Sequence, residues 1–239
     1  MHRSSPSNPL LLFSIFASIF GLLAVALFAS LPLITAEDVS WRKPLVGLSF
    51  AFICASGIVA AIFPNKCQKG SHFQEEYKQG VSNLARYASH SIIKGHHPDC
   101  GEFSAHVVAI QGRTFCAACA GLLIGAVGAL LGTAWYFFMG WAFEQASFPL
   151  VLVGQALTAC GFFQLASKSI IRLFMNAIFV LGPFMILVGL DMLAKSVFID
   201  FYVVGLIVLW IWTRVLLSQW DHNRTCRVCT QDCGNKRKC

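Results

Sequence analysis

Six apolar runs constrain this chain before anything else does. A helix that crosses a bilayer needs about 20 consecutive, mostly apolar residues. Runs of that kind lie at roughly 10–34, 45–63, 117–141, 148–166, 172–193 and 198–218. Within hydrocarbon every backbone N–H and C=O must be satisfied inside its own segment, which favours helices. The predicted fold is therefore all-α, a polytopic membrane bundle of about six transmembrane helices. Only 12% of the 239 residues are charged, against about 25% in soluble domains. The fourth run is the weakest, being interrupted by Gln155, Thr158 and Gln164. The first, with Arg3 ahead of it and Thr35-Ala36 behind, has the outline of a signal peptide. Its core of about 25 residues exceeds the 7–15 usual for a signal, so it reads as a membrane helix.

Six spans put both termini on one side, together with the loop at 65–115 and the short connection after the fourth run. Of the 18 Lys and Arg, all but Arg42, Lys43 and Lys195 fall on that side. Loops rich in Lys and Arg stay in the cytoplasm, so both termini are predicted to be cytoplasmic in a multi-pass cell-membrane protein. The net charge of +7 is explained by this topology and by contact with anionic headgroups. The bilayer is the expected partner, subunits of a membrane complex are a second possibility, and no nucleic acid is expected. Trp41, Trp135, Trp141 and Trp220 fall near the predicted interfaces, as amphipathic rings do.

The chain divides into a two-helix hairpin (1–64), a cytoplasmic loop (65–116), a four-helix region (117–218) and a cytoplasmic tail (219–239). Phe73, Tyr77, Val81, Leu84, Ala88 and Ile92 recur at helical spacing in the loop, predicting an amphipathic helix on the membrane surface. Gly121, Gly125, Gly128 and Gly132 line the third run, and small residues so spaced let helices approach closely. Packing within the chain is favoured over dimerisation. Intramembrane Gln155, Gln164 and Asn176, with Asp191 and Asp200 near the outer ends, are expected to hydrogen-bond between helices, with no charged pair deep in the membrane. No internal repeat, phosphate loop or dinucleotide fingerprint is present.

Ten cysteines carry the chemistry. Cys54 and Cys160 lie within spans and are expected to be small core residues. Cys67 is juxtamembrane, either a spectator thiol or an acylation site. Cys100, Cys116, Cys119, Cys226, Cys229, Cys233 and Cys239 all fall on the predicted cytoplasmic side. Thiols there are kept reduced, so close spacing points to metal rather than to disulfides.

One constellation is Cys100-x5-His106-x9-Cys116-x2-Cys119. Three cysteines and a histidine form a known tetrahedral zinc set. His90, His96 and His97 are candidate substitutes for His106, and Pro98-Asp99 marks a turn there. The other is His222-x3-Cys226-x2-Cys229-x3-Cys233-x5-Cys239, which does not match the bacterial ferredoxin run. The pairs Cys116/Cys119 and Cys226/Cys229 can alternatively form one shared site. Zinc, held structurally, is the favoured cofactor, because closed four-ligand sites are structural. An iron–sulfur cluster is the alternative. The function so implied is a metal-binding membrane protein. Iron–sulfur redox, an accessory-subunit role and transport of a metal or small solute stand as alternatives. No nucleophile–base pair is identifiable, so no catalytic residue is assigned.

The stretch from Gly95 to Gly125 resembles a family of integral membrane proteins of uncharacterised activity. There a Cys-His pair precedes an Arg- and Gly-containing loop, and Cys-x-Arg-Cys-x-Gly opens a glycine-bearing span. The counterparts are His97, Pro98 and Cys100, then Gly112 and Arg113, then Cys116 through Gly121, then Gly125. Ala118 stands where that family has Arg, and the leading order is altered to His-His-Pro-Asp-Cys. The resemblance covers about 30 residues and implies a membrane location and metal binding.

Overall fold

The computed structural model describes residues 8–31, 39–62, 107–110, 113–141, 144–163 and 169–228. They form an all-α bundle of six helices in chain order: α1 (Asn8–Ser30), α2 (Arg42–Ile62), α3 (Ala117–Thr133), α4 (Ser147–Phe162), α5 (Ser169–Ala194) and α6 (Val197–Val228). Five are long and apolar enough to cross a membrane, α3 by way of a π-helical turn at Ala134–Phe138. The exception is α4, whose 16 residues rise about 24 Å, short of the 30 Å of a typical hydrocarbon core. Its weak apolar pattern thus coincides with a short helix, and Gln164 lies outside the described residues.

The helices alternate in direction. Leu11 of α1 clusters with Leu216 and Leu217 of α6, while Phe28 meets the Tyr202 ring near the other end. Between these contacts Gly21 lies against Leu206. Polar groups tie the pair: Ser18 and Thr213 share a hydrogen bond of 2.9 Å, and Trp210 Nε1 donates to the Ser18 carbonyl at 3.3 Å. In lipid, where apolar surface gives helices little reason to prefer one another, such bonds and close packing carry association. Gln155 likewise donates from α4 to the Leu22 carbonyl of α1 at 2.8 Å, the interhelical bond expected of it.

At the centre stands α5, with the longest roll of buried residues. On one side it runs parallel to α3. A Cβ at Gly121 would collide with the Leu173 carbonyl, and one at Gly125 would sit 2.6 Å from that of Ala177. Gly132 faces the Phe184 ring. On the other side α5 meets α4 through small residues that the sequence reading did not single out. Gly154 approaches the Gly182 carbonyl, and Gly161 faces Phe179. Outward faces remain apolar, with Phe13, Phe16 and Phe20 of α1 exposed, as befits helices solvated by lipid.

Three features differ from expectation. The segment before α3 ends in an antiparallel hairpin, β1 (Val107–Ile110) and β2 (Arg113–Cys116). Two short runs rich in β-branched and aromatic residues, two positions apart, are a hairpin pattern that the reading of the loop overlooked. Secondly, α6 continues ten residues past the predicted span end at 218, because no Gly or Pro interrupts the chain before Gly234. Thirdly, Cys160 faces outward from α4 instead of lying in the core, whereas Cys54 is buried. The amphipathic segment 73–92 and Cys67 lie outside the described residues.

Candidate functional site

The two ends of the bundle carry different chemistry. At the end remote from the termini, Arg42 opens α2, Asp191 lies in the last turn of α5, Asp200 in the first turn of α6 and Tyr136 within the π turn after α3. Arg42 Nη1 donates to Asp191 Oδ1 and to Asp200 Oδ2, both at 2.5 Å. Tyr136 donates to Asp191 Oδ2 at 2.5 Å. Arg42 is 4% exposed and both aspartates 0%. Lys43 lies 4.8 Å from the centre of the Tyr136 ring. The two aspartates thus bond between helices, as expected of them, but to an arginine, in ion pairs at the helix ends rather than deep in the membrane. On sequence alone Arg42 reads as a loop charge that sets topology. The usable signal was an arginine beginning an apolar run on the same predicted side as two aspartates.

At the terminal end, Cys116 caps α3 in extended conformation, φ −66° and ψ 117°. Cys119 follows one turn later, so the helical spacing turns both side chains to one flank. Their thiols are within hydrogen-bonding reach of each other, and both feel the charge of Arg214 from α6. Strand β2 ends on Cys116, and its partner there is Val107, the residue that follows His106 in sequence.

Arg172 and Arg214 surround the thiols from α5 and α6, at 8% and 7% exposure. Arg172 pairs with Asp221 at 3.3 Å. Arg214 donates to Asn176 Oδ1, whose amide in turn donates to the Arg172 carbonyl at 2.6 Å. The two arginines and Asn176 therefore form a polar network beside the thiols. Sequence reasoning placed Asn176 but missed both arginines, since each sits near the end of an apolar run.

Of the metal-ligand candidates, the structure brings Cys116 and Cys119 together. His222 and Cys226 fall on the last turns of α6, with side chains outside the description. His90, His96, His97, Cys100, His106, Cys229, Cys233 and Cys239 lie outside the described residues. Among the described residues no three His, Cys, Asp or Glu side chains gather as a metal site. No family model, curated protein or solved structure matches this chain.

Proposed function

We propose that this multi-pass membrane protein holds a structural zinc ion at its terminal end, on the cytoplasmic side, with Cys116 and Cys119 as two of the ligands. The observation that carries the reading is the thiol pair at the foot of the β-hairpin. Two cysteines three apart at a helix start can both reach one ion at about 2.3 Å.

The remaining ligands come from elsewhere in the chain. His106 directly precedes Val107, the strand partner of Cys116, which favours a set of Cys100, His106, Cys116 and Cys119. The pair Cys226/Cys229 is the competing source, since α6 carries Arg214 past the same thiols. The resemblance around Gly95–Gly125 points the same way. Metal binding of this kind contributes folding free energy directly. Its role here is to fix the hairpin, and the chain before it, to the bundle.

Elemental analysis of purified protein tests the reading. One zinc per chain is expected, lost in Cys116→Ser/Cys119→Ser. Full zinc in that variant, or none in the wild type, overturns it. Loss in Cys100→Ser but not in Cys226→Ser/Cys229→Ser identifies the loop as the second source; the reverse identifies the tail. Iron with visible charge-transfer absorbance would replace zinc by a cluster.

A further inference from the structure

Beside the thiol pair a cavity of about 370 Å³ opens between α2, α3, α5 and α6, where the buried residues of α2 have ended at Cys54. The opposite rim holds a different feature, an oxygen without a hydrogen-bond donor. Arg42, Asp191 and Asp200 are sealed there together with Tyr136, which is itself buried. Three of the four carboxyl oxygens are accounted for. Asp191 Oδ1 and Asp200 Oδ2 accept from Arg42, and Asp191 Oδ2 accepts from Tyr136. Asp200 Oδ1 is buried and receives no hydrogen bond from any described residue. Buried polar atoms without a partner are rare, and each calls for an explanation.

The neighbour that Asp200 can reach is another acceptor. The Asp191 side chain stands within hydrogen-bonding distance of it. Two ionised carboxylates have no proton to share and cannot bond. Out of water they would also set two negative charges against the single guanidinium of Arg42. Carboxylates so placed do not both ionise; one proton is retained between them. The other cations at this rim are Lys43 of α2, which lies over the Tyr136 ring, and Lys195, exposed in the turn from α5 to α6. Neither donates to Asp200 Oδ1. A metal ion suits the place less well than a proton. Hard cations gather about six or more oxygen ligands, and three of the four carboxyl oxygens already serve donors.

We infer that Asp191 and Asp200 form a proton-binding site, with one proton on Asp200 Oδ1 donated to the Asp191 carboxyl. This bond gives the orphaned oxygen its partner and leaves one carboxylate opposite one guanidinium. It also joins the end of α5 to the start of α6. Ionisable side chains within membrane helices are costly and mark proton sites among other functions. The site lies at the opposite end from the thiols and does not rest on the zinc reading.

Infrared spectroscopy of the full chain in dodecyl maltoside, a detergent without carbonyl groups, tests it. At neutral pH the wild type should show the carbonyl stretch of a protonated carboxylic acid, shifted to lower frequency when the protein is prepared in heavy water. Carboxyls facing water are ionised at that pH. Asp200→Asn should lose the band and keep the fold, because its amide oxygen accepts from Arg42 and its amide nitrogen donates to Asp191. Asp191→Asn, which also leaves a single carboxyl at Arg42, should lose the band too. Unfolding gives a second readout. The unfolded chain releases the proton above the ordinary carboxylate range, so rising pH favours unfolding for as long as the folded site keeps it. The unfolding constant of the wild type, divided by that of Asp200→Asn, should rise about tenfold per pH unit there. The inference is overturned if the wild type shows no protonated acid, if the band persists in either variant, or if the ratio of unfolding constants does not change with pH.

Discussion

Arg42 is the residue on which the remote end of the bundle depends. One guanidinium nitrogen serves two carboxylates that water does not reach. Removing one partner of a buried ion group costs about 3–5 kcal/mol, because the remaining charge stays buried and uncompensated. Arg42→Ala should therefore lose stability on that scale, read as a lower unfolding temperature in nanodiscs. Replacing all three charges at once, as Arg42→Met/Asp191→Leu/Asp200→Leu, should recover most of the loss. Asp200→Asn should cost no more than about 1 kcal/mol, since its amide oxygen still accepts from Arg42. An Arg42→Ala protein that unfolds with the wild type would refute the assignment. Residues with chemistry at fixed spacing, such as Cys116 and Cys119, were legible in the sequence. Arg42, Asp191 and Asp200 were visible individually but not as a group, because their union depends on which helix ends meet. Lys195, with φ of 48°, is a further case. The tight turn from α5 to α6 holds it in a conformation that costs a non-glycine residue roughly 1 kcal/mol. Lys195→Gly should raise stability by a few tenths to 1 kcal/mol, in the same unfolding assay.

The contact between α3 and α5 separates glycines that are needed from one that is merely present. Gly121→Ala forces a methyl group onto the Leu173 carbonyl and should destabilise by about 1–3 kcal/mol. At Gly128 the nearest atom to an added Cβ is a Leu181 methyl at 3.4 Å. Gly128→Ala should therefore be neutral, or stabilising through its helix propensity. Equal losses from both would show that α3 does not pack against α5 in this register. The sequence displayed this stripe because its small residues recur every three to four positions. The companion contact of α4 with α5 was harder to read, since Gly154 and Gly161 stand seven apart among larger residues. The hairpin at 107–116 was missed for a different reason. Four-residue strands give a weak signal next to runs of 20 apolar residues.

For the molecule as a whole, the six helices follow from apolar length and the alternation of their directions from connectivity. Topology in the cell adds the sign of the loops. A membrane-impermeant maleimide applied to intact cells should label Lys195→Cys, while cysteines of the terminal end react only after permeabilisation. Labelling in the reverse order would invert the orientation. Sequence spacing pointed to the thiol pair, whereas the cavity beside it was not legible, because it depends on where the buried face of α2 ends.

The cluster around Arg42 fastens α2, α3, α5 and α6 together at one rim only. The buried residues of α2 run from Arg42 to Cys54, so the helix is anchored over its first half, and its last two turns have the most room to shift.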